Sequence, residues 1–498
     1  MQLQFEKQGI GCLQTVKREI QTQEQTQELR ISDGMPDIGS IIGAWGQVIL
    51  RSKEWQGDGF TVTGGTKVWV EYLPEEGGQP HCVESWLPFQ MHWSFPQMQQ
   101  DGSILTQALL DGVDARSLSS RKMMVRANVS VLGWAMVKQE QDMYSPVDLP
   151  ADIQLRTQRY PMELPVEAGE KAFALEETLD LPPSAPAIED LLRFSLQPEI
   201  TEDKMMGDKV VFRGNALLHL VYCTQDGGEY AWDVDMPFTQ YSELEGEYGE
   251  DARAMLWPCV TALEIDTEGN RFHVKTGLVC QYRICSRTMV EVVTDAYSNR
   301  RTVAAIGQEL LLPSILEEKT QTMHIHESIP LDAMRLVDVQ PMPQAVRTAR
   351  TNEGLELQLP GQFRILYYDM DGNLCTTTHR WQEKLPLPAG EGAAVEAALW
   401  PTGKPQATLM SGNSQLSWDM KLSTETHSQT PIPMVAGLEL GELQQPDSHR
   451  PSLILRRPGG EDLWELAKHH GSSVEAIRRA NGLEDEPDKS QMLLIPVI

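Results

Sequence analysis

The stretch TKVWVEYLPEEGG, residues 66–78, decides the fold class. Its apolar residues Val68, Val70 and Tyr72 alternate along the chain and stop before Gly77. A period of two is typical of a half-buried β-strand, and glycine after it indicates a turn. The same pattern returns twice, at Leu218, Leu220, Tyr222 and Gly227, and at Phe363, Ile365, Tyr367 and Gly372.

The two spacings between these strands, 150 and then 145 residues, also relate other parts of the chain. The pair Ile41-Ile42 is related by these spacings to Leu191-Leu192 and then to Leu336-Val337. The pair Phe60 and Val62 is related in the same way to the pair Val210 and Phe212, and then to the pair Leu355 and Leu357. Fixed offsets at separate anchors indicate three copies of one unit, and a period near 150 suits a whole domain.

Each copy is predicted to be an antiparallel β sheet or sandwich, preceded by a short helical or irregular element around the Ile41-Ile42 pair. The chain is therefore expected to be mainly β, with β domains at 1–145, 160–300 and 310–440. The stretches 145–187 and 310–330 are rich in proline and acidic residues and are predicted joints. The segment 441–452 is predicted to be a flexible linker.

The last segment, 453–498, follows a different pattern and predicts a strand, two helices and a second strand. Asp462 and Glu465 form a capping box at the start of the first helix, and Gly471 follows its end. Ser472 and Glu475 are the expected box of the second helix. The fold class is thus three repeated antiparallel β-rich domains plus a small C-terminal α+β (βααβ) domain.

Charge and cysteine content narrow the possible partners. The chain holds 42 basic and 71 acidic residues, and its formal charge of −29 repels phosphate backbones and anionic lipid surfaces. Nucleic acid is therefore an unfavourable partner. Signal-peptide blocks and long apolar runs do not occur in the sequence, so neither export nor direct membrane insertion is expected. Seven scattered cysteines without a CxxC favour reduced thiols in a cytosol.

The C-terminal segment resembles a LysM domain. The resemblance rests on Gly460-Glu461-Asp462-Leu463-Trp464, Leu466-Ala467, Ser473-Val474, Asn481 and Ile495-Pro496. This chain departs from the family where an acid and hydroxyl pair of the sugar-binding turn has become Glu461-Asp462. The departure argues against a site for N-acetylglucosamine.

The opening stretch, Thr26 to Leu50, is similar to the start of a SPOCS domain. The likeness rests on Pro36-Asp37-Ile38, Ile41-Ile42, the strand that ends at Tyr72, and Asp114 with Arg116. SPOCS domains followed by a LysM domain are typical of the SipL-like spore coat morphogenetic proteins of clostridia. The resemblance implies a cytoplasmic scaffold of the mother cell, at the forespore surface, whose LysM domain docks on a coat-basement ATPase of the SpoIVA type and helps to build the spore coat.

No familiar catalytic or nucleotide-binding motif is present, so an enzyme is not expected, and no cofactor is predicted. His324 and His326 could place two imidazoles on one strand face, but no third ligand stands at a supporting spacing. A solvated strand face is therefore the preferred interpretation of this pair.

Partner binding is predicted on one face of the LysM-like segment. Trp464 lies about 100° off the apolar stripe of its helix, so its ring is expected to be partly open. It could serve packing alone or be a hot spot of a protein interface. The predicted face consists of Ile454, Leu455, Glu461, Asp462, Trp464, Lys468, Asn481 and Leu483.

One alternative function remains. The chain could be an exported cell-wall protein that binds peptidoglycan through its LysM-like segment. The missing export signal, the missing hydrolase motif and the altered Glu461-Asp462 turn favour the scaffold.

Overall fold

The prediction of a mainly β chain is confirmed. The computed structural model describes residues 1–98, 101–351, 354–387, 394–410, 412–428, 431–444, 451–484, 487 and 491–498. Strands account for 77% of the chain and helices for 3%, and both helices lie near the C-terminus. Every strand pairing in the described part of the chain is antiparallel.

The first repeat consists of two three-stranded sheets. Its outer strands form the sheet β2-β7-β6, and the strands between them form the meander β3-β4-β5. A short strand, β1, precedes them. The bounds are β1 Gln2–Gln4, β2 Glu6–Arg30, β3 Ile38–Gln56, β4 Gly59–Pro74, β5 His81–Ser94, β6 Ser103–Ser119 and β7 Lys122–Ser145.

The second repeat has the same topology. Its meander is β9-β10-β11, and its other sheet has the order β8-β13-β12. The bounds are β8 Ile153–Asp180, β9 Ile188–Met205, β10 Gly207–Thr224, β11 Glu229–Tyr248, β12 Arg253–Glu268 and β13 Arg271–Ser298.

The third repeat follows this plan with interruptions. Its outer sheet is β15-β21-β20, its meander is β16-β18-β19, and a short strand β17 also pairs with β18. A small sheet, β1-β22-β14, ties the N-terminus to this repeat. The bounds are β14 Val303–Leu310, β15 Ser314–Ile329, β16 Ala333–Pro343, β17 Arg347–Thr351, β18 Gly354–Asp369, β19 Leu374–Leu387, β20 Ala394–Met410, β21 Asn413–Ser428 and β22 Ile432–Leu440.

The predicted repeat is visible in the strand register. Tyr72 lies opposite Ile41, Tyr222 lies opposite Leu191, and Tyr367 lies opposite Leu336. These pairs are separated along the chain by the same 150 and 145 residues. Because register depends on every side chain that faces the core, this agreement shows that the three copies share one fold.

The element around Ile41-Ile42 is a strand, and the prediction of a short helical or irregular element there is wrong. Both residues lie on β3, and Ile41 pairs with Tyr72 on β4. Register shifts next to Ile38 and Ile41 interrupt the alternation, which explains why the sequence pattern was irregular.

The stretches predicted as joints are largely strands. Residues 153–180 form β8, and residues 314–329 form β15. Both strands run along the edge of an outer sheet and expose many polar side chains, a composition that resembles a linker. The domain boundaries themselves stay predictions, as does the flexible linker 441–452, of which residues 445–450 lie outside the described residues.

The three repeats pack into a closed ring. Strand β12 of the second repeat contacts β3 of the first, β6 of the first contacts β16 of the third, and β20 of the third contacts β9 of the second. The equivalent segments 46–48, 196–198 and 341–343 line a shared central cavity of about 230 Å³. The repeats therefore form one body with approximate threefold symmetry.

The C-terminal unit, residues 453–498, has the predicted strand, helix, helix, strand order. Asp462 caps the first helix by accepting a hydrogen bond from Glu465 N, and Gly471 ends it at φ 63°. The second helix is capped by Ser473 and not, as predicted, by Ser472, whose backbone carbonyl is used elsewhere. The bounds are β23 Leu453–Arg456, α1 Leu463–His470, α2 Val474–Asn481 and β24 Leu493–Pro496.

Neither described helix has the length and apolar composition needed to cross a membrane.

Candidate partner-binding site

The residues predicted to bind a partner fall into three groups, and the first group supports the C-terminal unit from within. Ile454 and Leu483 pack against the core of this unit. Asn481 fixes β24, because its Oδ1 accepts a hydrogen bond from Leu494 N at 2.8 Å and its Nδ2 donates to Leu494 O at 2.6 Å. Both of these hydrogen bonds of Asn481 lie within the C-terminal unit.

The second group faces solvent. The Leu455 side chain is 61% exposed, and its neighbours Leu453 and Leu494 are 51% and 37% exposed. Leu455 lies opposite Leu494 in the two-stranded sheet, so these side chains form an outward apolar patch. Glu461 is exposed beside this sheet and forms an ion pair with Arg456 at 2.8 Å.

The third group, Asp462, Trp464 and Lys468, meets the second repeat. Trp464 is only 8% exposed, so the expectation of a partly open ring is wrong. Its Nε1 donates a hydrogen bond to Asp295 Oδ2 at 2.8 Å, and its ring packs edge-on against Tyr297, with ring centroids 4.8 Å apart. The position of Trp464 beside the apolar stripe of its helix was predicted from the sequence. That a strand of the second repeat covers the ring could not be predicted from it.

Two further contacts complete this interface. Tyr297 donates a hydrogen bond from its hydroxyl to Ser472 O at 2.9 Å, and Arg156 forms an ion pair with Asp462 at 2.8 Å. Burial raises the pKa of Tyr297 to about 12. Burial also acts to raise the pKa of Asp295, but hydrogen bonds from Lys468 and Trp464 outweigh it and lower that pKa. Asp295 is therefore a carboxylate that holds both a cation and an indole.

The charged groups that join the three repeats were not predicted from the sequence. Arg193 of the second repeat forms ion pairs with Glu71 of the first repeat and with Asp338 of the third, at 2.6 Å for the latter. All three are buried, and the guanidinium also lies 3.9 Å from the centroid of the Trp45 ring. His219 adds a contact to Asp338 at 3.1 Å. Only a repeat-to-repeat contact map could have revealed this network, because its members are far apart in sequence.

A second network lies between the same repeats and contains a group of potential metal ligands. One ligand atom from each of Glu396, Glu425 and His427 lies within 4.8 Å of the others. Arg18 Nε lies 3.1 Å from Glu396 Oε2, and Arg283 forms an ion pair with Glu425. Both carboxylates thus already have a cationic partner, which argues for an ion-pair network in place of a divalent metal. The absence of a cofactor stays a prediction.

His324 and His326 lie on the exposed face of β15, on either side of the buried Ile325. His324 Nδ1 lies 2.7 Å from Asp419, an exposed contact on the neighbouring strand. The prediction of a solvated strand face is confirmed for this pair.

Part of the second repeat matches a known protein family. The family described as SipL, SPOCS domain, matches residues 187–267. This range comprises the meander β9-β10-β11 and nearly all of β12 in the second repeat. Comparisons with curated proteins and with solved structures found no match. The match at these residues supports a relationship between this chain and the SipL-like, sporulation-related proteins.

Proposed function

We propose that this protein is a non-enzymatic scaffold in spore coat assembly. It acts in the mother-cell cytoplasm at the forespore surface, where its C-terminal unit, a LysM-like domain, docks on a coat-basement ATPase of the SpoIVA type. The observation that carries this proposal is the SPOCS match at residues 187–267, together with the register that extends the same fold to the other two repeats.

The architecture suits a scaffold. Buried ion pairs and a closed ring of contacts join the three repeats into one body. The C-terminal unit is small, and its apolar core is built from both helices and both strands, with Tyr297 of the second repeat packed against it. Its Trp464 and Lys468 are a suitable aromatic and cationic pair for a protein interface, since interface hot spots are enriched in tryptophan.

A binding measurement with the purified full chain tests this proposal. Trp464→Ala should weaken binding to the ATPase by about 30-fold or more if the indole is a hot spot. Lys468→Glu should weaken it by a smaller factor, and Lys204→Glu, an exposed lysine on the second repeat, is the matched charge control. Circular dichroism of each variant separates loss of binding from loss of folding.

Two results would contradict the proposal. One is an unchanged affinity of the folded Trp464→Ala variant, which would place the docking face elsewhere. The other is sedimentation of the chain with insoluble peptidoglycan without binding to the ATPase, which would favour the cell-wall function.

A further inference from the structure

The face of the C-terminal unit that is proposed to bind a partner is already occupied by the second repeat. Trp464 and Lys468 both donate to one carboxylate oxygen, Asp295 Oδ2, at 2.8 Å and 2.7 Å. The Trp464 ring cannot contact Tyr297 and a partner pocket at the same time, because only 8% of this residue is exposed.

The contacts on the two sides are complementary in charge. Lys468 of the unit faces Asp295 of the second repeat, and Asp462 of the unit faces Arg156 of the second repeat. Beside these two ion pairs, Tyr297 packs on the indole and donates a hydrogen bond to the backbone of the turn between the helices. A buried aromatic contact next to charged pairs is a composition found in specific protein interfaces.

The strength of this interface is limited by solvent. The Lys468 and Asp295 side chains are 41% and 27% exposed, and those of Arg156 and Asp462 are 45% and 38% exposed. Exposed ion pairs contribute little net stability because water competes for both charges. The ion pairs of this contact should therefore separate at a lower cost than the buried pairs between the repeats, and the packing of Trp464 on Tyr297 is the part of the contact that is buried.

We propose that the second repeat is an intramolecular competitor for the partner, and that its contact with Trp464, Lys468 and Asp462 keeps the binding face of the C-terminal unit closed until a partner displaces it. The proposal rests on the proposed function, since it concerns the same face. A closed state lowers the apparent affinity, because only the open fraction of the molecules can bind the partner. Weakening the contact from the second-repeat side should therefore strengthen partner binding.

The decisive variant is Asp295→Lys in the full chain, because it repels Lys468 and leaves every residue of the C-terminal unit unchanged. We expect at least about fivefold tighter binding to the ATPase, within the usual range of coupling between sites. We also expect faster hydrogen exchange of α1, by about the same factor or more, because the docked state protects it. Asp266→Lys makes the same charge change at an exposed site on β12 of the same repeat and should alter neither quantity.

Zero-length carbodiimide cross-linking tests the closed state of the wild-type chain directly. The carbodiimide converts a carboxylate into an O-acylisourea. A contacting amine attacks the acyl carbon of this intermediate, forms an amide and releases the carbodiimide as a urea. The 2.7 Å contact predicts an Asp295–Lys468 cross-link, seen by mass spectrometry of the digested chain. Saturating ATPase should reduce its yield at least about fivefold, because partner and second repeat compete for one face.

The possible failures are distinguishable. No cross-link and unchanged exchange in Asp295→Lys would overturn the closed state itself. Faster exchange with unchanged affinity would overturn competition and would favour docking through the exposed Leu453, Leu455 and Leu494 patch. Faster exchange with no ATPase binding by the wild-type chain or the variant would overturn the proposed function, and with it the competition.

Discussion

The two interfaces within this chain are built from similar residues but in different surroundings. Between the repeats, the Arg193 and Asp338 side chains are 3% and 4% exposed. Between the second repeat and the C-terminal unit, the Lys468 and Asp295 side chains are 41% and 27% exposed. A buried charge that loses its partner is left unpaired in a medium of low dielectric, whereas an exposed charge returns to water. The first interface should therefore be permanent, and the second should be able to open.

The largest expected effect comes from breaking the buried interface. Arg193→Met would leave Glu71 and Asp338 buried without their shared cation and should lower the free energy of unfolding by about 3 to 5 kcal/mol. Urea unfolding measures this change. The control Arg213→Met removes an exposed arginine, 3.5 Å from Glu202, and should change stability by no more than about 0.5 kcal/mol. Equal effects of the two substitutions would refute the difference between the interfaces.

The buried network should also make stability depend on pH. Burial acts to lower the pKa of His219, but Asp338 and Asp233 outweigh it and raise this pKa to about 9. Because the folded pKa exceeds the unfolded value of about 6.5, the stabilisation is complete below pH 6.5 and is lost as the pH rises through 9.

The contribution of His219 to this loss should be about 2 to 3 kcal/mol, since its side chain is 22% exposed. Urea unfolding at pH 6.5 and pH 9.5 would show it as a smaller pH dependence in His219→Gln than in the wild-type chain. His427, whose pKa is also raised to about 9, should keep the residual dependence in that variant. The exposed His324→Gln is the control and should leave the pH dependence as it is in the wild type.

Sequence reasoning reached the repeat but not these interfaces, and the reason is physical. Alternation along a strand is local, so Val68, Val70 and Tyr72 reveal a strand and their copies reveal its register. Glu71 and Arg193 are 122 residues apart, and each one reads as an ordinary polar position of a strand.

The same limit applies to the C-terminal unit. Asp462 and Gly471 marked the ends of the first helix correctly, because capping is a local interaction. Whether Trp464 is open or covered depends on Tyr297, which lies in the second repeat and is far from it in sequence. The candidate site could thus be located from sequence, while its exposure could not.

A moderate effect should distinguish the repeats from each other. Tyr72 and Tyr222 donate hydrogen bonds from their hydroxyls to Pro36 O and Pro186 O, at 3.0 Å and 2.9 Å. Replacing either tyrosine with phenylalanine should lower the free energy of unfolding by about 1 kcal/mol.

The third repeat has Leu331 at the position equivalent to Pro36 and Pro186, and its Tyr367 is less buried than the other two tyrosines. Tyr367→Phe should therefore cost less than about 0.5 kcal/mol. Thermal or urea unfolding of the three variants measures this order, and an equal loss at Tyr367 would show that the third repeat keeps the same bond.

The smallest expected effect concerns the exposed interface. Lys468→Met removes the ion pair with Asp295 and should change the global free energy of unfolding by less than about 1 kcal/mol. Hydrogen exchange of the α1 backbone amides should nevertheless be faster in the Lys468→Met variant, because opening of the unit precedes global unfolding. A large loss of global stability would mean that the C-terminal unit is an integral part of the ring.

Hydrogen exchange of the full chain across a series of low urea concentrations tests the central claim most directly. A permanent ring predicts that the central strands β4, β10 and β18 share the highest opening free energy and the same dependence on urea. The helices α1 and α2 should open at a lower free energy and with a weaker dependence on urea. Separate opening of the three strands, or opening of the helices only together with them, would contradict the account.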